Sequence, residues 1–133
     1  MEEVSIQIET QVNPTENPEK IKTALRNIFG EITVSISPEG KDNVLVANVA
    51  GQDSLIKFRN LLRSDRIRDA ARKALFRSIK GNTISFCLNK QVAFAGHVSF
   101  SQETAESPLG PIRVEIASSN PRKLIEWLAE KTV

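Results

Sequence analysis

The residues that could do chemistry are crowded into one stretch, Gly51 to Asn82, GQDSLIKFRNLLRSDRIRDAARKALFRSIKGN. Lys57, Arg59, Arg63, Arg66, Arg68, Arg72, Lys73, Arg77 and Lys80 stand there against Asp53, Asp65 and Asp69 alone. The stretch carries a local charge of +6, the rest of the chain −4, and the whole +2. Such polarisation points to an anionic partner. Arginine outnumbers lysine six to three here, and its planar fork pairs with phosphate and stacks on bases. The chemistry is therefore electrostatic capture of a phosphate backbone. Arg66, Arg68, Arg72, Lys73, Arg77 and Lys80 are the candidate contacts, and Lys90 an outlying one. The blander account is a solvated helix pair: arginine favours helices, and its stem covers apolar surface. Asp65 and Asp69 are also spaced to pair with Arg68, Arg72 and Lys73.

Catalysis has little to build on. His97 is the single histidine, and a general base needs a nucleophile or water held beside it. An enzyme would need a pocket joining His97 to Glu103 or Glu115. One cysteine, Cys87, excludes an intramolecular disulfide and a thiolate metal cluster, and the carboxylates are scattered, so neither metal nor cofactor is expected. Cys87 shares the polar parity of Ser85 and reads as a half-buried small residue. A lone thiol fits a reducing compartment. The start, MEEVSIQIET, is acidic and alternating, unlike a signal peptide, and no stretch approaches a membrane span. The expected setting is cytoplasmic, in one domain over residues 1–133.

The elements that must position the cations follow from periodicity. Val4, Ile6, Ile8 and Val12 alternate with polar residues, a strand with one wet face. Asn17-Pro18 starts a helix, Ile21, Leu25 and Ile28 stripe it, and Gly30 stops it. Ile32, Val34 and Ile36 form a second strand, Pro38 to Asp42 a turn, and Val44 to Val49 a third strand. Two helices fill the basic stretch. Taken as one helix, Asp65 to Lys80 puts Ile67, Ala71, Ala74, Leu75 and Ser78 on one side. Arg66, Lys73, Arg77 and Lys80 then share one flank, Arg68 and Arg72 the other, and Phe76 lies off the stripe. Ile84, Phe86 and Leu88 predict a strand, Asn89-Lys90 a two-residue turn, and Gln91 to Phe100 the returning strand. Ser101 to Pro111 is a polar loop. Ile112, Val114 and Ile116 form the last strand, and Asn120-Pro121 opens a final helix through Leu124, Trp127, Leu128 and Lys131. The order β-α-β-β-α-α-β-β-β-α predicts an α+β fold, a mostly antiparallel sheet of about six strands with helices packed on one face. Its open face (Gln7, Glu9, Gln11, Thr33, Ser35, Thr83, Ser85, Arg113, Glu115) carries no aromatic on which bases could stack.

RDAARKAL at Arg68–Leu75, LNKQVAFAG at Leu88–Gly96 and SPLGPIRVEI at Ser107–Ile116 together resemble an uncharacterised archaeal protein family over nearly the whole chain. The resemblance implies a fold similar to the large-subunit ribosomal protein that holds the small ribosomal RNA. It also implies RNA binding or association with the exosome. It carries over no catalytic residues. Positions that match are Arg68, Arg72, Asn89, Lys90, Gln91, Ser107, Pro108, Gly110 and Pro111. The sequence thus predicts a non-enzymatic RNA-binding protein that contacts the backbone through its basic helix pair. The alternative is an assembly subunit that forms a homodimer or meets an acidic protein partner.

Overall fold

Alternation of apolar and polar residues sets the architecture. The computed structural model describes residues 3–39, 42–101 and 110–131. Within them, β1 (Val4–Val12) alternates buried and exposed along its whole length, as β7 (Pro111–Ser118) does beyond its first residue. They pair antiparallel, with Ile6 opposite Ile116 and Ile8 opposite Val114. β2 (Ser35–Glu39) and β3 (Asp42–Ala50) extend the sheet from β1, and β4 (Ile79–Lys80) and β5 (Thr83–Asn89) extend it from β7. The spatial order is β2-β3-β1-β7-β5-β4, with the two-residue β6 (Phe100–Ser101) also on β5. Every pairing is antiparallel.

The buried parity of that sheet meets the helices. Those are α1 (Pro18–Phe29), α2 (Ile56–Ser64, preceded by a 3-10 turn at Gln52–Leu55), α3 (Arg68–Arg77), α4 (Lys90–Phe94) and α5 (Pro121–Leu128). Ile6, Ile8, Ile84, Leu88 and Ile116 from the strands form one cluster with Leu25, Ile28, Phe58, Leu62, Leu75 and Leu128 from the helices. Each such side chain contributes about 1.5–3 kcal/mol when fully buried. Phe58 stacks on Phe86 and tilts against Phe29, both with ring centroids 5.8 Å apart. The helix starts are chemical: Asn17 accepts from the Glu19 N–H at 2.9 Å and Asn120 from the Lys123 N–H at 3.1 Å, each before a proline. The α+β class and antiparallel sheet are as expected, with seven strands and five helices among the described residues in place of about six and four.

Two local expectations are corrected. Strand β2 begins at Ser35, and Ile32 instead packs into the core. Gln91 to Phe100 is no strand. Asn89 caps α4, accepting from the Val92 N–H at 3.0 Å, and the chain pairs with β5 again only at Phe100–Ser101. Asparagine's side chain serves a helix start as well as a turn, and here the cap prevailed. The Pro38–Asp42 turn and the Ser101–Pro111 loop fall in part on residues outside the described ones.

Helix α4 changes the role of Lys90. Its side chain is only 5% exposed, and Nζ donates to the Gln11 carbonyl at 2.8 Å and to Glu16 Oε1 at 3.0 Å. Glu16 in turn accepts from the backbone N–H of Asn13 at 3.1 Å and its Nδ2 at 2.8 Å. Lys90 thus locks the end of β1 to α4, and it is withdrawn as a nucleic-acid contact. Breaking one side of a buried pair strands the other charge. Lys90→Met is therefore expected to lower the urea-unfolding free energy by about 3–5 kcal/mol, whereas Lys22→Met, on an exposed pair with Glu19, should change it by less than about 1 kcal/mol.

Candidate nucleic-acid interface

The basic stretch is divided by its partners. Arg59 donates Nε–H to the Trp127 carbonyl at 2.8 Å, pairs with Glu130 at 2.7 Å, and lies 5.3 Å above the Trp127 ring. Arg72 forms a two-pronged pair with Glu126, one prong at 2.7 Å. Lys57 Nζ donates to the Arg26 carbonyl at 3.0 Å near the end of α1. Helix α5 is thus clamped to α2 by one arginine and to α3 by another. Asp69 contributes to Arg72's electrostatics, but Asp65 looks elsewhere.

Asp65 reaches the segment after α4. Its Oδ1 lies 3.0 Å from His97 Nδ1, and its Oδ2 accepts the Val98 N–H at 3.0 Å. His97 is 64% exposed on its side chain and faces this carboxylate, not Glu115. Burial opposes ionisation of Asp65, but the Val98 N–H and the His97 ring outweigh it and hold the carboxyl below its ordinary value. The Arg72 hydrogen bonds do the same for Glu126, while Glu126 raises Arg72. Both carboxyls sit below their unfolded values, so their stabilisation is complete above those values and is lost as pH falls through the folded ones. Acid unfolding should accordingly steepen below about pH 4, and Asp65→Asn should flatten that limb in a pH series of urea melts.

The turn after α2 explains where Arg66 points. Its N–H bonds the Arg63 carbonyl and the Ile67 N–H bonds the Leu62 carbonyl, both at 3.1 Å. That is a Schellman closure with Arg66 in the position usually given to glycine, at φ 57°. The single-helix reckoning for Asp65 to Lys80 therefore fails at both ends: Arg66 lies in a left-handed turn and Lys80 on β4, at a sheet edge. Arg68 and Arg72 remain on α3, as do Lys73 and Arg77. Arg66, Lys73, Arg77 and Lys80 are exposed and Arg68 half-buried, and among the described residues none of the five forms an ion pair.

Helix α5 adds cations that charge density in the basic stretch did not point to. Asp69, Arg72, Lys73, Phe76, Arg77 and Lys131 line an open groove of about 620 Å³. Arg72 Cζ stands 5.0 Å from the Phe76 ring centroid and Arg122 Cζ 5.7 Å. Phe76 is half-buried against the core and lines the groove. Arg122 and Lys131 could have been found only through the amphipathic reading of α5 docked on α3. Among the described residues no cluster of histidine, cysteine and acids could hold a metal ion, and no helix is long and apolar enough to cross a membrane.

The fold these residues sit on is an antiparallel sheet with five helices among the described residues, and it is shared with known proteins. Residues 5–118 match a family model described as RNA binding, and the chain belongs to that family, shared with the archaeal UPF0201 proteins. The UPF0201 protein of Sulfurisphaera tokodaii is 45% identical over 125 residues, 94% of this chain and 86% of that one. That of Saccharolobus solfataricus is 40% identical, covering 97% and 89%. The crystal structure of the Methanococcus jannaschii UPF0201 protein superposes with a TM-score of 0.83 at 32% identity, over 94% and 98% of the two chains. None of these names is that of an enzyme.

Arg66 separates stability from binding. Left-handed φ costs a residue with a Cβ about 1 kcal/mol relative to glycine. Arg66→Gly should therefore raise the unfolding free energy by up to about 1 kcal/mol in urea melts, while removing one exposed cation.

Proposed function

We propose that this protein binds RNA without catalysing a reaction on it. Phosphates are held by Arg66, Arg68, Lys73, Arg77 and Lys80, with Arg72 a fixed neighbour. The observation that carries the reading is the set of cations left without acidic partners among the described residues, on a fold of a family described as RNA binding. Lys73 and Arg77 share the wall of one groove, Arg66 stands in the turn before α3 and Lys80 on β4 just after it. The likeness to a ribosomal protein and the exosome association that the sequence resemblance implies belong to the same proposal.

A second reading has its own observation. The exposed parity of the sheet is polar: Asn48, Gln7, Glu115 and Ser85 run side by side across four strands. A flat polar face of this kind suits pairing of two copies into a homodimer, or a protein partner.

The test is binding of a single-stranded oligonucleotide across a salt series. Three neutralised phosphates give a log–log slope of about −2. Reversing Arg66, Lys73 and Arg77 to glutamate should abolish binding while the urea-unfolding free energy stays within about 0.5 kcal/mol of wild type. Unchanged affinity in that variant rejects the site. A wild-type chain that ignores RNA but sediments as two copies transfers the case to the second reading.

A further inference from the structure

We infer that the groove between α3 and the end of α5 takes an unpaired nucleotide, its base stacked on the guanidinium layer that Arg72 and Arg122 form over Phe76 and its flanking phosphates on Lys73 and Arg77. The inference rests on the RNA-binding reading and narrows it to single-stranded segments.

Three observations lead there. Lys73, Phe76 and Arg77 are spaced i, i+3, i+4, so one turn of α3 presents two cations and a ring on the same face. Phe76 lines the groove, and the Arg72 and Arg122 guanidinium groups both lie over its ring within 6 Å. Arg72 is also held flat by its two-pronged pair with Glu126, which leaves its plane immobile beside the ring. Guanidinium planes backed by an aromatic ring are a surface on which splayed-out bases stack. A duplex hides its bases and offers phosphates alone. The hollow on the open sheet face, where Cys87 pairs with Arg113 and Arg113 with Glu9, has two rings, Phe86 and Phe100, both packed into the core.

Asp69 also lines the groove, on the same helical stripe one turn before Lys73. A carboxylate there repels a phosphate and accepts a hydrogen bond from a ribose hydroxyl or base amino group. It thus disfavours threading of two phosphates through the groove, which agrees with one nucleotide turned inward.

The experiment compares a ten-nucleotide oligoadenylate with an RNA duplex of equal phosphate number, by fluorescence anisotropy at fixed salt. Phe76→Leu and Arg122→Gln should each weaken oligoadenylate binding about tenfold and leave duplex binding and the salt slope unchanged. Arg122 is exposed, so its substitution spares the fold even if Phe76→Leu loosens it. Wild-type affinity for oligoadenylate in Arg122→Gln and a folded Phe76→Leu, with binding still lost on Lys73→Glu and Arg77→Glu, overturns stacking and leaves RNA binding in place. Equal losses for oligoadenylate and duplex overturn it too. Absence of any binding by the wild-type chain removes the broader reading and this one together.

Discussion

One-sided burial of the sheet is the constraint on which everything else depends. Ile6, Ile8, Ile84, Ile112 and Ile116 are at most 2% exposed, while Ser5, Gln7, Ser85, Arg113 and Glu115 between them stay wet. A strand with period-two alternation has only one apolar face to cover, and the helices must all deliver their apolar stripes to it. Ala71 and Leu75 of α3 and Phe58 and Leu62 of α2 do so. Once those positions are spent on the core, the intervening arginines and lysines have nowhere to go but the rim. The basic surface is thus a consequence of how α2 and α3 are seated.

Seating them brings a second requirement. Helix α5 carries Glu126 and Glu130 toward the same rim, and two arginines are consumed in holding it. Exposed ion pairs of this kind usually contribute less than about 1 kcal/mol each. Arg59 and Arg72 do more than pair, however, since each also lies over an aromatic ring and hydrogen-bonds or approaches the last carbonyls of α5. Their gain is geometric: they seat α5, and with it Arg122 over the Phe76 ring and Lys131 at the groove. Of the cations that remain, Arg66, Lys73, Arg77 and Lys80 are exposed.

Much of this was legible in the sequence, for stated reasons. Strands β1 and β7 announce themselves by alternation, and the Asn-Pro starts of α1 and α5 by a side-chain acceptor ahead of a residue with no N–H. Helix α4 was not legible, because Asn89 suits a turn and a cap equally, and five residues are too few for a period to show. Lys90 was misplaced with it: a lysine at a hairpin tip is wet, but one in the first turn of a helix packed beside Glu16 is buried. The break at Arg66 was hidden because glycine, the usual sign of a left-handed closure, is missing there. Nothing local could pair Arg72 with Glu126, fifty-four residues away.

That hidden break bears on function more than any element that was easy to find. The Schellman closure sends Arg66 out of the helix, and the closing contacts of Leu62 and Ile67 with the core keep it there. Asp65, immediately before it, is occupied by His97 and the Val98 N–H, so the nearest carboxylate cannot fold back onto the guanidinium. A cation in a strained position with its adjacent acid already engaged is poorly served by its own molecule. Glycine would end the helix with less strain, and a neutral side chain would leave Asp65 as it is. An arginine there gains most from a negative charge supplied from outside.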